Sequence, residues 1–210
     1  WRAVWMAGLG ALVRGDHGTA LSSFNAVYGQ LPGELAPKLA LAVACELGGQ
    51  EEVAESLYRI CAVTDANYVT PAGFGLARIR AAQGDLTGSL AALELIPQTS
   101  RGYLESQKLT TEHLIALGRD AAHLAEALKV LQHARLDPPS QLAYEAAIHE
   151  RALALAAGKP IKLGATTYTE GDLRDKLETC YRRLAHLSAD ADERAELVDK
   201  ANAIRGWSLL

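Results

Sequence analysis

Two stretches decide the fold: Ala20-Leu21-Ser22-Ser23-Phe24-Asn25-Ala26-Val27 and, 34 positions later, Ala54-Glu55-Ser56-Leu57-Tyr58-Arg59-Ile60-Cys61. Each sets a small residue, an aromatic four positions on, and a compact apolar residue three beyond it along one helical face. Working outward, Arg14-Gly15-Asp16 precedes the first stretch as Gly48-Gly49-Gln50 precedes the second. Both are glycine-centred turns between two helices. A third stretch carries the same pattern less strictly, so the unit is a helix, a turn and a second helix.

A period of 34 residues with this spacing is the signature of the tetratricopeptide repeat. Gly8 and Pro32 fall where that repeat has its close-packing glycine and its terminating proline. The expectation is an all-α tetratricopeptide-repeat solenoid of three to four helix–turn–helix units with a C-terminal helical cap. Residues 1–138 divide into units at about 1–33, 34–67, 68–100 and 101–138, and residues 139–210 supply the cap. Helices are predicted over Arg2 to Val13, Gly18 to Gln30, Ala36 to Leu47 and Glu51 to Val63, with Thr64-Asp65-Ala66-Asn67 closing the second unit. The third unit runs from Pro71 to Pro97, one residue out of phase, with Leu76, Ala77, Leu90 and Leu93 inside. Tyr103 to Leu117 and Ala121 to Arg135 make a degenerate fourth. Beyond it, Ser140 reads as the cap of a helix to Ala157, and Gly158 to Thr169 as a loop. Thr169-Glu170-Gly171-Asp172 opens a helix to Leu187, and Asp190 opens the last, ending near Arg205-Gly206.

Composition narrows the function classes. A hydrophobic fraction of 49% supports a buried core, and a net charge of -4 supplies no basic field for nucleic acid. No apolar run reaches the ~18 residues of a membrane span. The chain opens on Trp1 without a secretory pattern and reads as a piece of something longer. Cys45, Cys61 and Cys180 form no C-x-x-C pair, which fits small buried residues in a reducing compartment.

Chemistry-bearing patterns are weak throughout. His113, His123 and His133 are ten residues apart, whereas neighbours on one helical face differ by three or four. Gly8-Leu9-Gly10 and Gly73-Phe74-Gly75 lack the third glycine and the preceding strand of a nucleotide fingerprint. Glu51-Glu52 and Asp190-Ala191-Asp192-Glu193 sit at helix starts, where the dipole favours them. The reading is binding rather than catalysis, with no catalytic, cofactor or metal residue. In this repeat the first helix of each unit lines the inner face, placing Trp5, Leu9, Leu12, Leu39, Val43, Phe74 and Arg78 outward as candidate protein-interaction residues. A carboxylate-gripping set of Lys and Asn is missing from these places. Trp5 and Phe74 are the anchors, since aromatics dominate interface energetics.

Further residues carry a resemblance. They are Phe24-Asn25-Ala26-Val27-Tyr28, Leu31 through Ala42 (LPGELAPKLALA), Leu177-Glu178-Thr179-Cys180-Tyr181-Arg182 and Leu197-Val198-Asp199-Lys200-Ala201-Asn202-Ala203-Ile204-Arg205. In these the chain resembles the C-terminal tetratricopeptide domain of the actinobacterial serine/threonine protein kinase G family. The resemblance implies a parent with a kinase domain using ATP and Mg and a rubredoxin-like module holding iron or zinc. It implies phosphorylation of a forkhead-associated regulator of glutamate and 2-oxoglutarate metabolism. It also implies a cytoplasmic location, with export in pathogens. The partners it implies are the kinase domain of the same protein, a second copy in a homodimer and the protein substrate. No kinase glycine loop, H-R-D or D-F-G stands in this chain, so no catalytic role transfers. The alternatives are a stand-alone adaptor binding a peptide in its groove, and an all-helical enzyme.

Overall fold

A computed structural model describes residues 1–205 of the 210. Its contacts divide the chain into two compact units, Trp1–Ser106 and Gln107 onward, with the boundary inside one helix. This division follows contact density and differs from the repeat-and-cap division at residue 138.

The first unit is three helix pairs: α1 (Arg2–Val13) with α2 (His17–Gln30), α3 (Leu35–Leu47) with α4 (Glu51–Thr64), and α5 (Ala66–Ala82) with α6 (Leu86–Glu94). Each of these helices packs on the next, and α3 also touches α5, so these two first helices lie side by side as the repeat requires. The three turns are one device. Gly15, Gly49 and Gly84 take φ of 72°, 76° and 73°, a left-handed conformation that glycine adopts without steric cost. The following residues Asp16, Gln50 and Asp85 donate their backbone N–H to Ala11, Cys45 and Arg80 at 2.9, 2.7 and 2.9 Å. These bonds satisfy carbonyls orphaned at the helix ends. Asp16 and Asp85 then cap α2 and α6 by accepting from Thr19 and Gly88.

The repeat positions form the core of this unit. Ala20, Phe24, Val27, Ala54, Tyr58 and Cys61 have no solvent exposure. In the third pair the same places are held by Ser89, Leu93 and Ile96, all buried. Leu90, expected inside, is only half-buried. The spacing has slipped to 35 residues there, and Ser89 is accommodated by donating its hydroxyl to the Ala77 carbonyl at 3.1 Å. The start of α5 also differs from expectation. Asp65 ends α4 and caps α5 through the Asn67 N–H at 2.8 Å, so the helix begins at Ala66 and Pro71 lies within it. The cap decides the start, and the proline, exposed in the second turn, is tolerated.

The second unit continues α7 (Tyr103–Leu117) and adds α8 (Ala121–His133), α9 (Pro138–Ala156), α10 (Glu170–Leu187) and α11 (Ala191–Ile204). Its core gathers Leu142, Ala146, Leu177, Cys180, Tyr181 and Ala201. Two expectations are corrected here. Asp137, not Ser140, caps α9; the Ser140 N–H is the donor it accepts at 3.1 Å, and Pro138 takes the first helical position. Gly158 to Thr169 is not all loop, because β1 (Ile161–Leu163) and β2 (Thr166–Tyr168) pair antiparallel, Leu163 opposite Thr166. The alternation of Ile161 and Leu163, buried, with exposed Lys162 marks the strand. Gly164-Ala165, with Gly164 at φ 63°, makes the two-residue turn. The Thr169–Asp172 capping box opens α10 as expected, with reciprocal bonds of 2.8 and 3.2 Å. Asp190 caps α11, which ends at Ile204; Gly206 lies outside the described residues. Among the described residues the chain is all-α apart from this hairpin.

Candidate functional site

The first helix of the first unit sets the site. After Arg2, α1 carries no charged residue. Trp5 is half-buried, its ring meeting the fully buried Phe24 edge-on at 5.2 Å and 67°. This geometry suits the aromatic quadrupoles and fixes the indole's other side toward open space. There a cavity of about 460 Å³ opens, lined by Trp1, Trp5, Val27, Leu31, Glu34, Ala36 and Pro37. Three separate stretches build it: the start of α1, the end of α2 and the joint leading into α3.

The joint is held rigidly. Lys38 is buried, with its ammonium donating to the Pro32 carbonyl and, at 3.4 Å, to the Glu34 carbonyl, while it sits 5.2 Å from the centre of the Tyr28 ring. An ammonium taken from water needs such acceptors. Lys38 thereby ties the Pro32-Gly33-Glu34 turn to α3 and fixes one wall of the cavity. Glu34 occupies the N-cap position of α3 but makes no side-chain capping bond.

The other outward candidates lie in different settings. Leu9 is 37% exposed, whereas Leu12, Leu39 and Val43 are half-buried on α1 and α3. Phe74 is half-buried beside Gly102, where a side chain would come within 3.0 Å of its ring. Arg78 is engaged: its Nε and Nη2 donate to Glu46 Oε1 and Oε2 at 2.7 and 2.9 Å. Tyr58 donates its hydroxyl to the same Glu46 Oε2 at 2.6 Å. Burial, and then this bond, push the Tyr58 phenol well above its ordinary pKa, while the Glu46 hydrogen bond raises Arg78. The network joins α3, α4 and α5 and pairs the charge of Glu46 with that of Arg78.

Of the seven outward residues, Trp5 alone lines the cavity. Trp1, Leu31, Glu34, Ala36 and Pro37 join it, and the repeat register does not single them out. The available signal is their position around Pro32-Gly33, where consecutive units are linked. Among the described residues no three His, Cys, Asp or Glu side chains gather as a metal site, and no helix is long and apolar enough to cross a membrane. Cys45, Cys61 and Cys180 are buried free thiols.

Comparison with known proteins adds the family context. The family model described as protein kinase G tetratricopeptide repeat matches residues 1–208. The serine/threonine-protein kinase PknG of Mycobacterium leprae (strain TN) is 33% identical over 218 residues, covering 100% of this chain and 28% of that protein. Its namesake in Mycolicibacterium smegmatis (strain ATCC 700084 / mc(2)155) is 32% identical over 216 residues, covering 99% and 28%. The chain thus spans 28% of the length of these curated relatives.

Proposed function

We propose a function from one premise: the chain belongs to the protein kinase G tetratricopeptide repeat family. It serves as the non-catalytic interaction domain of a serine/threonine protein kinase, stabilising the kinase and promoting its self-association. The catalytic work, with ATP and Mg, and a rubredoxin-like module holding iron or zinc belong to other segments of such a protein. Its substrate is a forkhead-associated regulator of glutamate and 2-oxoglutarate metabolism, met in the cytoplasm, with export in pathogens. Its partners are its own kinase domain, a second copy and that substrate.

The observation that carries the interaction role is the apolar cavity at Trp5, on a helix whose one charged residue is Arg2. A contact made there in one arrangement of the parent shifts its population toward that arrangement. The test is sedimentation velocity on the protein carrying this chain, with Trp5→Ala and, because Trp5 also packs on Phe24, with the exposed Leu9→Ser. Trp5→Ala is expected to weaken association by roughly 2 kcal/mol, about thirty-fold. Unchanged association in both variants removes the face from the interaction. Capture of the native protein from cells as a 22.4 kDa species without ATP-dependent phosphorylation identifies an adaptor instead of a kinase domain.

A further inference from the structure

We propose that the cavity at Trp5 takes an arginine side chain from an extended, basic segment of a protein partner, with Glu34 as the group that selects its charge. This inference rests on the interaction reading above and names the chemistry of its partner. The walls are apolar: Trp1, Trp5, Leu31 and Pro37 offer two indoles and two aliphatic surfaces. Glu34 carries the one charged side chain among those lining the cavity.

Two observations leave that carboxylate free to select a cation. Glu34 stands at the N-cap of α3 without capping it. Its natural partner, Lys38, lies four positions on in the favourable Glu-before-Lys order. Yet the Lys38 ammonium is committed to the Pro32 and Glu34 carbonyls and to the Tyr28 ring. Among the described residues no side chain is bonded to the Glu34 carboxylate. The start of α3 contributes about half a positive charge, and Lys38 bonds the Glu34 carbonyl rather than its carboxylate, so the carboxylate itself keeps a negative charge to offer.

Arginine fits the rest of the cavity. Its guanidinium is weakly hydrated, stacks on indole and forks onto carboxylate, while its stem is aliphatic. The chain already shows the stacking: the Arg2 guanidinium carbon lies 5.5 Å from the centre of the Trp1 ring. The lip is exposed, so the charge pair is worth at most about 1 kcal/mol, a factor of about five. Apolar contact with the stem supplies the remainder.

The test compares two acetylated, amidated pentapeptides, Ala-Ala-Arg-Ala-Ala and its counterpart with neutral citrulline. Each is titrated into the 210-residue chain while the Trp1 and Trp5 indole ¹H–¹⁵N resonances are followed, the three indoles of the chain being assigned with Trp5→Phe and Trp207→Phe. The arginine peptide is expected to shift both resonances saturably and to bind about five-fold tighter than the citrulline peptide. Glu34→Gln, at an exposed position that caps nothing, is expected to erase the preference. Equal affinity of the two peptides, a preference that survives Glu34→Gln, or no saturable shift overturns the inference. If Trp5→Ala still weakens association of the parent while neither peptide binds, the interaction reading stands and this one falls.

Discussion

Gly75→Ala is the sharpest probe of how the repeats fit together. Gly75 lies on α5, and a methyl there would sit inside the Tyr58 ring of α4, 2.6 Å from Cε1 and nearer still to Cζ and Cε2. The ring is fully buried and its hydroxyl is fixed to Glu46, so it cannot withdraw without loosening that bond. Overpacking costs about 1–3 kcal/mol, and losing a hydrogen bond to a charged acceptor about 1.5–3 kcal/mol. Alanine's helix propensity returns about 1 kcal/mol. The balance is a loss of about 3 kcal/mol. Gly8→Ala meets the Phe24 ring at 2.8 Å, but that ring has no polar tether, so its loss is smaller. Gly29→Ala, on exposed α2 surface with no atom within 4 Å of the added methyl, should gain about 0.5 kcal/mol. Urea unfolding followed by circular dichroism gives the midpoints at unchanged slope. The order Gly29→Ala, wild type, Gly8→Ala, Gly75→Ala is expected. A Gly75→Ala midpoint at or above that of the wild type refutes the close-approach argument.

The remaining predictions concern stability and reactivity. Tyr58→Phe should cost about 1.5 kcal/mol or more, and a double-mutant cycle with Arg78→Met should give a coupling of about 1 kcal/mol through Glu46; independent effects would contradict the shared acceptor. Native thiols should react slowly with a disulfide reagent at neutral pH, because burial raises all three, Cys180 to about 11, and should all become reactive on unfolding. His149 is 6% exposed, donates Nδ1–H to the Glu145 carbonyl at 2.7 Å and meets the Tyr168 ring edge-on at 6.0 Å. Burial lowers its pKa below 6.5, against the Glu145 carbonyl and carboxylate and assisted by Lys176. Below pH 6.5 the unfolded chain therefore takes a proton that the folded chain refuses, and stability falls as pH falls toward the folded pKa. His113 acts in the same direction. His149→Asn should flatten part of the loss in midpoint between pH 7.5 and 5.5, and an unchanged slope would count against a neutral buried imidazole.

How much of this was legible in the sequence depended on how local the cause was. Ala20, Phe24, Val27 and their counterparts 34 positions later could be read because packing fixes both residue size and spacing. The third pair resisted because one added residue moved Ser89, a polar residue, into the place expected for an apolar one. Its burial becomes understandable only with the Ala77 carbonyl opposite. Asp65 and Asp137 competed with nearby Pro71 and Ser140 as helix-start signals, and capping geometry chose the aspartates. The hairpin was hidden by its length, three residues a strand, although Ile161-Lys162-Leu163 and the Gly164-Ala165 turn carried its pattern. Trp5 was visible as an outward aromatic; the cavity beside it was not, because its walls come from three stretches whose approach depends on how α1 and α2 close on the start of α3.

Glu46 and Glu34 bring the packing argument to the question of function. Both acids stand on or just before α3, the first helix of the second repeat. Glu46 is answered from within by Arg78 and Tyr58, so its charge fastens one repeat to the next and little is left to offer a ligand. Glu34 has a lysine at the right sequence spacing, but that lysine is spent on backbone carbonyls and an aromatic ring. Replacing Glu46 by Gln should therefore lower the unfolding midpoint while leaving peptide discrimination unchanged. Replacing Glu34 by Gln should do the reverse. Since exposed pairs contribute little to folding, a carboxylate left outside the ion-pair network can select a partner at almost no cost to the fold that presents it.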